Sequence, residues 1–263
     1  MQKVKLAIII VNYKSQAYLK SCLDSIFAKI DPLVMLEVIV VNNDIESDLT
    51  SIQVAYPVVR IIQNKNNQGF GGGNNLGAKI ARGDFLLFLN PDTEIINTNI
   101  LELLKEFTKN PEIGIIGSQL LTTDDVVQEW SMGSELSLWG ILKNKFKKED
   151  TFRGKNIKKQ SVGWVAGTAL FIRRELFKKI DGFDEQFFMY FEDVDLCLRV
   201  RKLGKKVLYF PDFTILHYGG KSYNEKKIQK KQYYRSQDYY FQKHLGIFQL
   251  SLLRILRFIK YGV

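Results

Sequence analysis

Apolar runs of five or six residues alternate with helix-spaced segments along the first 120 residues. The runs are rich in Ile, Leu, Val and Phe, which is typical of strands buried on both faces of a parallel sheet. They are Leu6–Val11, Glu37–Val41, Val58–Gln63, Phe85–Leu89 and Ile113–Ser118. Because parallel strands need helical crossovers, the alternation predicts an α/β fold with a mostly parallel central sheet flanked by helices.

Helix-spaced apolar residues occupy the intervals between these runs and return in the second half of the chain. The predicted helices contain Leu19–Phe27, Asn74–Ala81, Ile100–Phe107, Arg174–Ile180 and Glu192–Lys202. Two later strands are predicted at Gly163–Arg173 and Val207–Phe210. Residues 131–160 have weak periodicity and many lysines, which predicts a mobile loop within one domain.

The net charge of +10 is unevenly distributed along the 263 residues. Residues 1–140 carry a net charge of −5, whereas residues 199–263 carry +12. Such basic patches attract polyanions, among them nucleic acid, anionic lipid and diphosphates. The acidic first half argues against nucleic acid as the partner. Hydrophobic residues make up 46% of the chain, which is ordinary for a folded protein and excludes disorder as the default.

The cysteines and the hydropathy profile indicate a cytoplasmic protein. Cys22 and Cys197 each lie in an apolar stretch without a CxxC motif, so we expect two small buried side chains rather than a disulfide or a zinc site. A secretory signal is not evident at Leu6–Val11, and no run approaches the ~20 apolar residues of a membrane span.

Polar residues follow the predicted strands at the edge of the sheet where ligands of such folds bind. These positions are Asn12 and Tyr13, Asn42–Asp44, Asn64–Gly73 and Asn90–Asp92. Asp92 can hold Mg²⁺ or Mn²⁺ against a diphosphate. A turn carboxylate is an equally good interpretation of Pro-Asp-Thr.

A glycine-rich segment, Gln68–Gly77, lies between the third strand and the following helix. Its spacing matches neither the dinucleotide fingerprint GxGxxG nor the P-loop. The backbone of such a loop can cradle a phosphate or approach a sugar closely. A flexible tight turn is the alternative.

Two further groups can carry chemistry. Acidic residues open the helix at Glu192, where one carboxylate beside apolar rings can act as general base, although helix N-termini favour acids in any case. On that helix Glu192 and Asp195 share a face, whereas Asp193 and Asp195 diverge. His217, after the last strand, is either a metal ligand or a hydrogen-bonded structural residue.

The C-terminal stretch Ile247–Lys260 is predicted to form a basic amphipathic helix. Arg254, Arg257 and Lys260 recur at three-residue spacing among apolar residues. Such a helix either lies in a membrane interface or packs against the domain or a partner. Its terminal position and its charge favour the membrane.

Together these segments resemble the family 2 glycosyltransferases, and among them the bacterial rhamnosyltransferase-like branch. The resemblance extends from about Lys5 to about Gly246. The pieces that carry it are IIIVNYKS from Ile8, VIVVNN from Val38, NQGFGGGNNLGA from Asn67, LLFLNPDTEI from Leu86, the segment Gly163–Gly204, and HYGGKS from His217.

The resemblance implies a GT-A fold and an inverting, metal-assisted single displacement. We expect one domain over residues 1–246, with a nucleotide-sugar half to about residue 118 and an acceptor half from 119, followed by the helix 247–263. Asp193 matches the catalytic base, with Glu192 beside it, and Asp92 and His217 match ligands of Mg²⁺ or Mn²⁺. The donor-binding positions are Val11, Asn12, Tyr13, Asn42, Asp44, Asn67, Gly69, Phe70, Gly72, Asn74, Asn90, Pro91 and Asp92. The acceptor-binding positions are Trp164, Gly167 and Thr168.

Two positions depart from the family pattern. The first acid of the family's metal-binding Asp-x-Asp motif is Asn90 in this chain. The family usually has Asp after the second strand, where it contacts a pyrimidine base, and this chain has Asn42. An amide both donates and accepts, so it can still pair with a pyrimidine edge, and Asp44 is a possible substitute.

The expected reaction transfers a sugar, with rhamnose from dTDP-rhamnose as the branch-level choice. The acceptor is a hydroxyl of a glycan or a lipid-linked saccharide in cell-surface polysaccharide biosynthesis, at the cytoplasmic face of the plasma membrane. Two alternatives are a glycoside hydrolase that uses Asp92 and Asp193, and a non-enzymatic binder of polyanions or lipid.

Overall fold

A single mixed sheet organises the chain, and helices cover both of its faces. The structure, a computed structural model, describes residues 4–137, 157–219 and 226–261. The strands within these ranges are β1 (Val4–Asn12), β2 (Val34–Asn42), β3 (Arg60–Gln63), β4 (Phe85–Leu89), β5 (Thr93–Thr98), β6 (Ile113–Leu121), β7 (Met132–Gly133), β8 (Gln160–Val162), β9 (Trp164–Val165), β10 (Ala169–Arg173) and β11 (Lys206–His217). The helices there are α1 (Gln16–Lys29), α2 (Thr50–Ala55), α3 (Gly69–Ile80), α4 (Ile100–Lys109), α5 (Arg174–Lys179), α6 (Glu192–Lys202), α7 (Lys226–His244) and α8 (Gly246–Tyr261).

The main sheet has the order β3-β2-β1-β4-β10-β6-β11-β5, and β8 pairs with β11. Strands β1 to β4 run parallel, as do β6 and β11, while β10 lies antiparallel between β4 and β6. Six of the nine strands in the described sheet therefore share one direction. This confirms the α/β class with a mostly parallel central sheet.

The segment Gly163–Arg173 forms two strands instead of the predicted single one. Strand β9 pairs with β7 in a small second sheet, and β10 enters the main sheet. Between them the backbone makes other bonds: the Ala166 amide donates to the Ser131 carbonyl, and the Asn90 amide donates to the Thr168 carbonyl. These bonds place the intervening residues beside the end of β4.

Helix α3 begins at Gly69, earlier than the predicted Asn74, although glycine is a poor helix former. Close packing on the sheet explains its glycines. A Cβ at Gly77 would lie 2.5 Å from the Ile9 side chain, and one at Gly73 would lie 2.8 Å from Val11. The helix can approach β1 this closely only without side chains at these positions.

Two apolar layers enclose the sheet, one on each face. Alternate residues of β1 enter opposite layers: Leu6, Ile8 and Ile10 pack with α1 and α4, whereas Ala7 and Ile9 pack with α5 and α6. Burial on both faces is the reason for the uninterrupted apolar runs in the sequence. Cys22 and Cys197 are both buried free thiols, as expected.

Helices α7 and α8 form a hairpin on the same face as α6. Tyr240 and Phe241 of α7 and Leu250 and Leu253 of α8 are buried there. Across the hairpin Asp238 accepts hydrogen bonds from Arg254 and Arg257. Among the helices of the described ranges, each falls short of the length and apolarity needed to cross a membrane.

Candidate active site

Side-chain amides link the carboxyl ends of β1, β2 and β3. Asn42 Oδ1 accepts from Asn12 Nδ2 at 2.8 Å and from the Asp44 amide at 3.3 Å. Asn42 Nδ2 donates to the Ser47 carbonyl and to Gln63 Oε1, both at 2.9 Å. The buried Asn42 amide thus has all four of its hydrogen-bonding positions filled by the protein. Pairing with a pyrimidine edge, as expected for Asn42, requires one of these bonds to break.

The glycine-rich loop is fixed by specific contacts. Asn67 Oδ1 accepts from the Gly69 amide at 2.9 Å. Gly69 has φ +76°, and a Cβ there would lie 2.0 Å from the Phe188 carbonyl oxygen. That carbonyl accepts from the Phe70 amide at 3.1 Å. The loop is therefore held against the segment that leads into α6, and Gly69 admits no side chain.

The other predicted donor residues surround this loop. Val11 is buried against Gly73, and Tyr13 is half-buried beside the end of β1. Asn74 is fully buried and donates to the Phe70 carbonyl at 3.0 Å. The Oδ1 atoms of Asn12 and Asn74 are buried without a hydrogen-bond partner in the described part of the chain. One buried acceptor at the end of β1 and one in α3 thus lack a partner there.

Asp92 and His217 meet where β4 and β11 end. His217 Nε2 lies 3.4 Å from Asp92 Oδ1, and both side chains are almost fully buried. The other ring nitrogen, Nδ1, lies 2.7 Å from Gln128 Oε1, and this contact orients the ring. The Tyr218 amide donates to the Asp92 carbonyl at 3.0 Å, so the two segments are also tied through their backbones.

Asp92 and His217 suit a divalent cation whose remaining coordination positions are filled by the substrate. No cluster of three or more His, Cys, Asp and Glu side chains with metal-binding geometry occurs within the described ranges. Magnesium in phosphate-transferring sites commonly uses one or two protein ligands, with diphosphate oxygens and water filling the other positions. Asp92 Oδ1 and His217 Nε2 supply such a partial set, since Asp92 directly precedes β5 and His217 ends β11, the strand that pairs with β5.

Asp193 is held in place by two backbone amides. Its Oδ2 accepts from Gly167 at 2.7 Å, and its Oδ1 accepts from Val194 at 2.8 Å. Burial raises the pKa of Asp193 above its ordinary value, and it raises the pKa of Glu192 further, with the Asp193 charge adding to the effect. A carboxylate with a raised pKa and a fixed orientation is a good general base.

The ends of β4 and α6, which carry Asp92 and Asp193, are connected through the backbone of residues 167 and 168. The Asn90 amide, two residues before Asp92, donates to the Thr168 carbonyl, and the neighbouring Gly167 amide donates to Asp193. Thr168 and Gly167 therefore bridge the two carboxylates at the ends of β4 and α6. Asp195, by contrast, points to the far side of α6, where it contacts Arg199, Lys243 and His244.

The three predicted acceptor residues differ in their surroundings. A Cβ at Gly167 would lie 3.0 Å from the Phe70 ring and 3.4 Å from Asp193 Cβ, so Gly167 lies between the loop and the base. Trp164 is only 8% exposed, and its indole lies against Gly133. Among the described residues a second tryptophan, Trp130, is exposed, in a loop that no sequence pattern singles out.

Comparison with known proteins identifies the family. A model of the family described as Glycosyl transferase family 2 matches residues 7–181. The rhamnosyltransferase WbbL of Escherichia coli K12 is 28% identical over 226 residues, which cover 80% of this chain and 82% of that protein. An N-acetylglucosaminyl-diphospho-decaprenol L-rhamnosyltransferase of Mycobacterium tuberculosis H37Rv is 27% identical, over 77% of this chain and 73% of that protein.

Solved structures share the fold at low sequence identity. GalNAc-T7 with UDP, GalNAc and Mn²⁺ has a TM-score of 0.64 at 16% identity; the match covers 82% of this chain but only 44% of that one. The mannosyltransferase PcManGT of Pyrobaculum calidifontis with GDP-Man and Mn²⁺ has a TM-score of 0.64 at 15% identity, over 92% and 64% of the two chains. The fold is thus the GT-A fold. With its family model matched over most of its length, the chain belongs to glycosyl transferase family 2.

Proposed function

We propose that this protein is an inverting glycosyltransferase that moves a sugar from a nucleoside diphosphate to a hydroxyl group of a glycan or lipid-linked acceptor. One observation carries the proposal. Asp92 with His217, and Asp193 with its two backbone donors, are connected through Thr168 and Gly167, and we take them to line one cleft. The cation would stabilise the departing diphosphate, and the base would take the proton of the attacking hydroxyl. These are the two ends of a single displacement.

The donor lies along the ends of the parallel strands. Its nucleoside is placed at β1 to β3, near the free oxygen of Asn12, and its diphosphate reaches Asp92 and His217 at the end of β4. Mg²⁺ or Mn²⁺ held by Asp92 and His217 would supply positive charge to the departing diphosphate. The amide-bonded loop at Gly69 and Phe70 lies between these two regions and lines the sugar.

Asp193 receives the proton of the acceptor hydroxyl. Its two bonds from Gly167 and Val194 fix the carboxylate, and each oxygen keeps a lone pair for the incoming proton. The acceptor oxygen attacks the anomeric carbon from the side opposite the diphosphate, so a single displacement inverts the configuration. The raised pKa of Asp193 brings its basicity closer to that needed for a hydroxyl proton.

L-Rhamnose from dTDP-rhamnose is the proposed donor, with a lipid-linked saccharide as acceptor in cell-surface polysaccharide synthesis. The names of the Escherichia and Mycobacterium relatives support the sugar, and the name of the latter supports a polyprenyl-diphosphate-linked acceptor. Because the structural neighbours contain UDP and GDP-Man, the nucleotide is a matter for experiment.

A membrane acceptor also fits the surface of the C-terminal hairpin. Helix α8 buries Leu250 and Leu253 against the domain, and it exposes apolar side chains on the opposite side. We name these the α8 apolar face: Ile247, Phe248, Leu252, Ile255, Phe258 and Ile259. A helix of this kind lies in a membrane interface, so we place the protein at the cytoplasmic face of the plasma membrane.

The test is a screen of nucleotide-sugars for enzyme-dependent release of nucleoside diphosphate with Mg²⁺ or Mn²⁺. dTDP-rhamnose is expected to give the highest rate, and EDTA is expected to abolish it. The Asp193→Asn variant keeps the size of Asp193 but only one of its two backbone contacts, since an amide nitrogen cannot accept from an N–H group. Because Asp193 is not proposed to contact the nucleotide, donor binding should stay nearly intact. Loss of the base should slow its turnover by about 10²–10⁴-fold.

Two results would contradict the proposal. Normal turnover by Asp193→Asn would assign the base elsewhere, and full activity in EDTA would remove the cation. Release of sugar from a glycan without any nucleotide-sugar would instead indicate a glycoside hydrolase with Asp92 and Asp193 as its carboxylates.

A further inference from the structure

Trp130 combines unusual exposure with an unusual backbone. Its side chain is 74% exposed, and its φ is +64°. A bulky residue rarely adopts positive φ, because its Cβ crowds the backbone, and such residues concentrate at functional sites. The chain therefore keeps a large aromatic ring in solvent, in a conformation that glycine or asparagine would adopt more easily.

The neighbours of Trp130 place it at the cleft. Two residues before it, the Gln128 side chain contacts His217, which contacts Asp92. One residue after it, the Ser131 carbonyl accepts from the Ala166 amide, next to Gly167. Because three residues span at most about 11 Å, Trp130 lies within a short distance of both the proposed cation ligands and the segment that holds the base.

Trp130 is also on the acceptor side of the cleft. The nucleoside is proposed to lie at β1 to β3, whereas Trp130 follows β6, which is separated from β1 by β4 and β10. Asp92, at the end of β4, therefore lies between the nucleoside region and Trp130. A ring at this position meets the group that approaches the sugar, not the nucleotide that leaves it.

We propose that Trp130 is the platform for the acceptor sugar and that its indole face stacks on the C–H face of the ring that carries the attacking hydroxyl. The proposal rests on the function proposed above. Indole offers a large, flat, apolar surface with only two side-chain torsions to fix, which suits a ligand that is apolar on one face and polar at its rim. The buried Trp164 offers no such surface.

Steady-state kinetics test the platform with octyl N-acetyl-β-glucosaminide as acceptor and dTDP-rhamnose as donor. Trp130→Ala should raise the acceptor KM roughly tenfold and leave the donor KM unchanged. Acceptor-independent hydrolysis of the donor should also be unchanged, whereas Trp130→Phe should retain most of the affinity. Val54→Ala, an equally exposed apolar residue on α2, is the control.

A glycine variant guards against misfolding, since glycine adopts positive φ without strain. Trp130→Gly should fold with a thermal midpoint at or above that of the wild type, yet show the same rise in acceptor KM. An unchanged acceptor KM in a folded Trp130→Gly protein, or an equal rise in donor KM, would overturn the proposal.

Tryptophan fluorescence gives a readout that does not depend on turnover. Titration with the octyl glycoside should shift the tryptophan emission of the wild type to shorter wavelength, because an exposed indole becomes covered. Trp139→Phe, the control that removes a different tryptophan, should show the same shift. Trp130→Phe should lose this shift, and a shift that persists would overturn the proposal. A wild type that shows this binding but releases no nucleoside diphosphate from any donor would contradict the proposed function and not the platform.

Discussion

Glu192 places a second carboxyl group in the interior, beside the proposed base. It is 6% exposed, and its Oε2 has no hydrogen-bond partner in the described ranges. Burial raises the pKa of Glu192 well above its usual value, and the charge of Asp193 raises it further. Asp193 therefore ionises first, and the pair carries one negative charge over a range of pH. In the proposed mechanism, Asp193 is therefore the carboxylate that accepts the proton.

The raised pKa of Glu192 makes stability depend on pH. Above the ordinary glutamate pKa of about 4.3 the unfolded chain loses this proton while the folded protein keeps it, so stability falls as pH rises. Glu192→Gln removes this dependence. The difference in thermal midpoint between the variant and the wild type should therefore shift in favour of the variant as pH rises from 4 to 8.

Thermal unfolding of Glu192→Gln at several pH values measures this effect. The exposed Glu175→Gln on α5 is the matched control, for which the difference from the wild type should stay flat. A constant difference for Glu192→Gln would mean that the carboxyl group ionises normally in the fold. Its turnover, measured in parallel, reports whether Glu192 contributes to the reaction.

At the scale of residues, polar side chains that follow apolar elements can be read from the sequence. Asp92 and His217 follow such strands, and the fold brings them into contact, while their roles and that of Asp193 stay predictions. Trp130 lacked that signal, since its position follows from the contact between Gln128 and His217, 89 residues apart. The full set of hydrogen bonds to the Asn42 side chain could not be predicted either, because its partners lie apart in the sequence.

At the scale of elements, helix α7 fixes the helix that carries the base. Asp195 of α6 is fully buried, and it contacts Arg199 Nε at 2.7 Å, Lys243 Nζ at 2.6 Å and His244 Nε2 at 2.7 Å. Burial alone would raise the pKa of Asp195. These contacts, first of all the one with His244, instead hold the pKa at about 2. Because α6 begins at Glu192, Asp193 lies in the first turn of the same helix. The contacts of Asp195 therefore also fix the position of Asp193.

Asp195→Asn should destabilise the protein by about 3 kcal/mol, since it removes the buried charge that the partly exposed Arg199 and Lys243 contact. Urea unfolding measures the loss. Asp24→Asn on α1 is the control: it breaks an i,i+4 pair with Lys20 of the same spacing, but an exposed one, and should cost less than about 1 kcal/mol. Equal effects of the two substitutions would show that the Asp195 cluster does not anchor α6.

The same cluster predicts an acid limb in the stability of the wild type. Asp195 has a folded pKa of about 2, below the ordinary aspartate value of about 3.9. Its contribution is complete above pH 4 and is lost as pH falls towards 2. The Asn variant should lack that part of the acid dependence.

Element prediction succeeded for buried strands and failed where tertiary contacts decide. Helix α7 has no one-sided apolar pattern, because tyrosine and polar side chains such as Ser236 and Gln237 fill its buried side. Strand β11 was predicted to end at Phe210, before Pro211, yet it continues to His217 through a register shift that accommodates the proline. Strand β5 follows Asp92 directly, and its residues lack the continuous apolar run that predicts a buried strand.

For the molecule as a whole, charge and exposed apolar surface coincide at the C-terminal hairpin. Residues 199–263 carry a net charge of +12, and the hairpin also exposes the α8 apolar face. Arg254 and Arg257 add little to attraction for anionic lipid, because Asp238 pairs with both. The exposed Lys227, Lys231 and Arg235 of α7 are the better source of that attraction.

The double substitution Ile255→Glu with Phe258→Glu tests whether the α8 apolar face binds membrane. Each side chain is exposed in the fold, so the variant should keep its stability, but two fewer apolar groups enter the lipid. Binding to vesicles that contain anionic lipid should weaken roughly a hundredfold in a sedimentation assay. Val54→Glu with Val58→Glu, at two exposed apolar positions away from the hairpin, should bind like the wild type.

A second pair of variants separates the apolar from the electrostatic contribution. Lys227→Glu with Lys231→Glu should weaken binding to anionic vesicles in low salt, and the loss should shrink as salt screens the charges. Binding to neutral vesicles should respond only to the change on α8. If both hairpin variants sedimented with anionic vesicles as the wild type does, the α8 apolar face would have to be covered by protein, and the acceptor would have to reach Trp130 from solution.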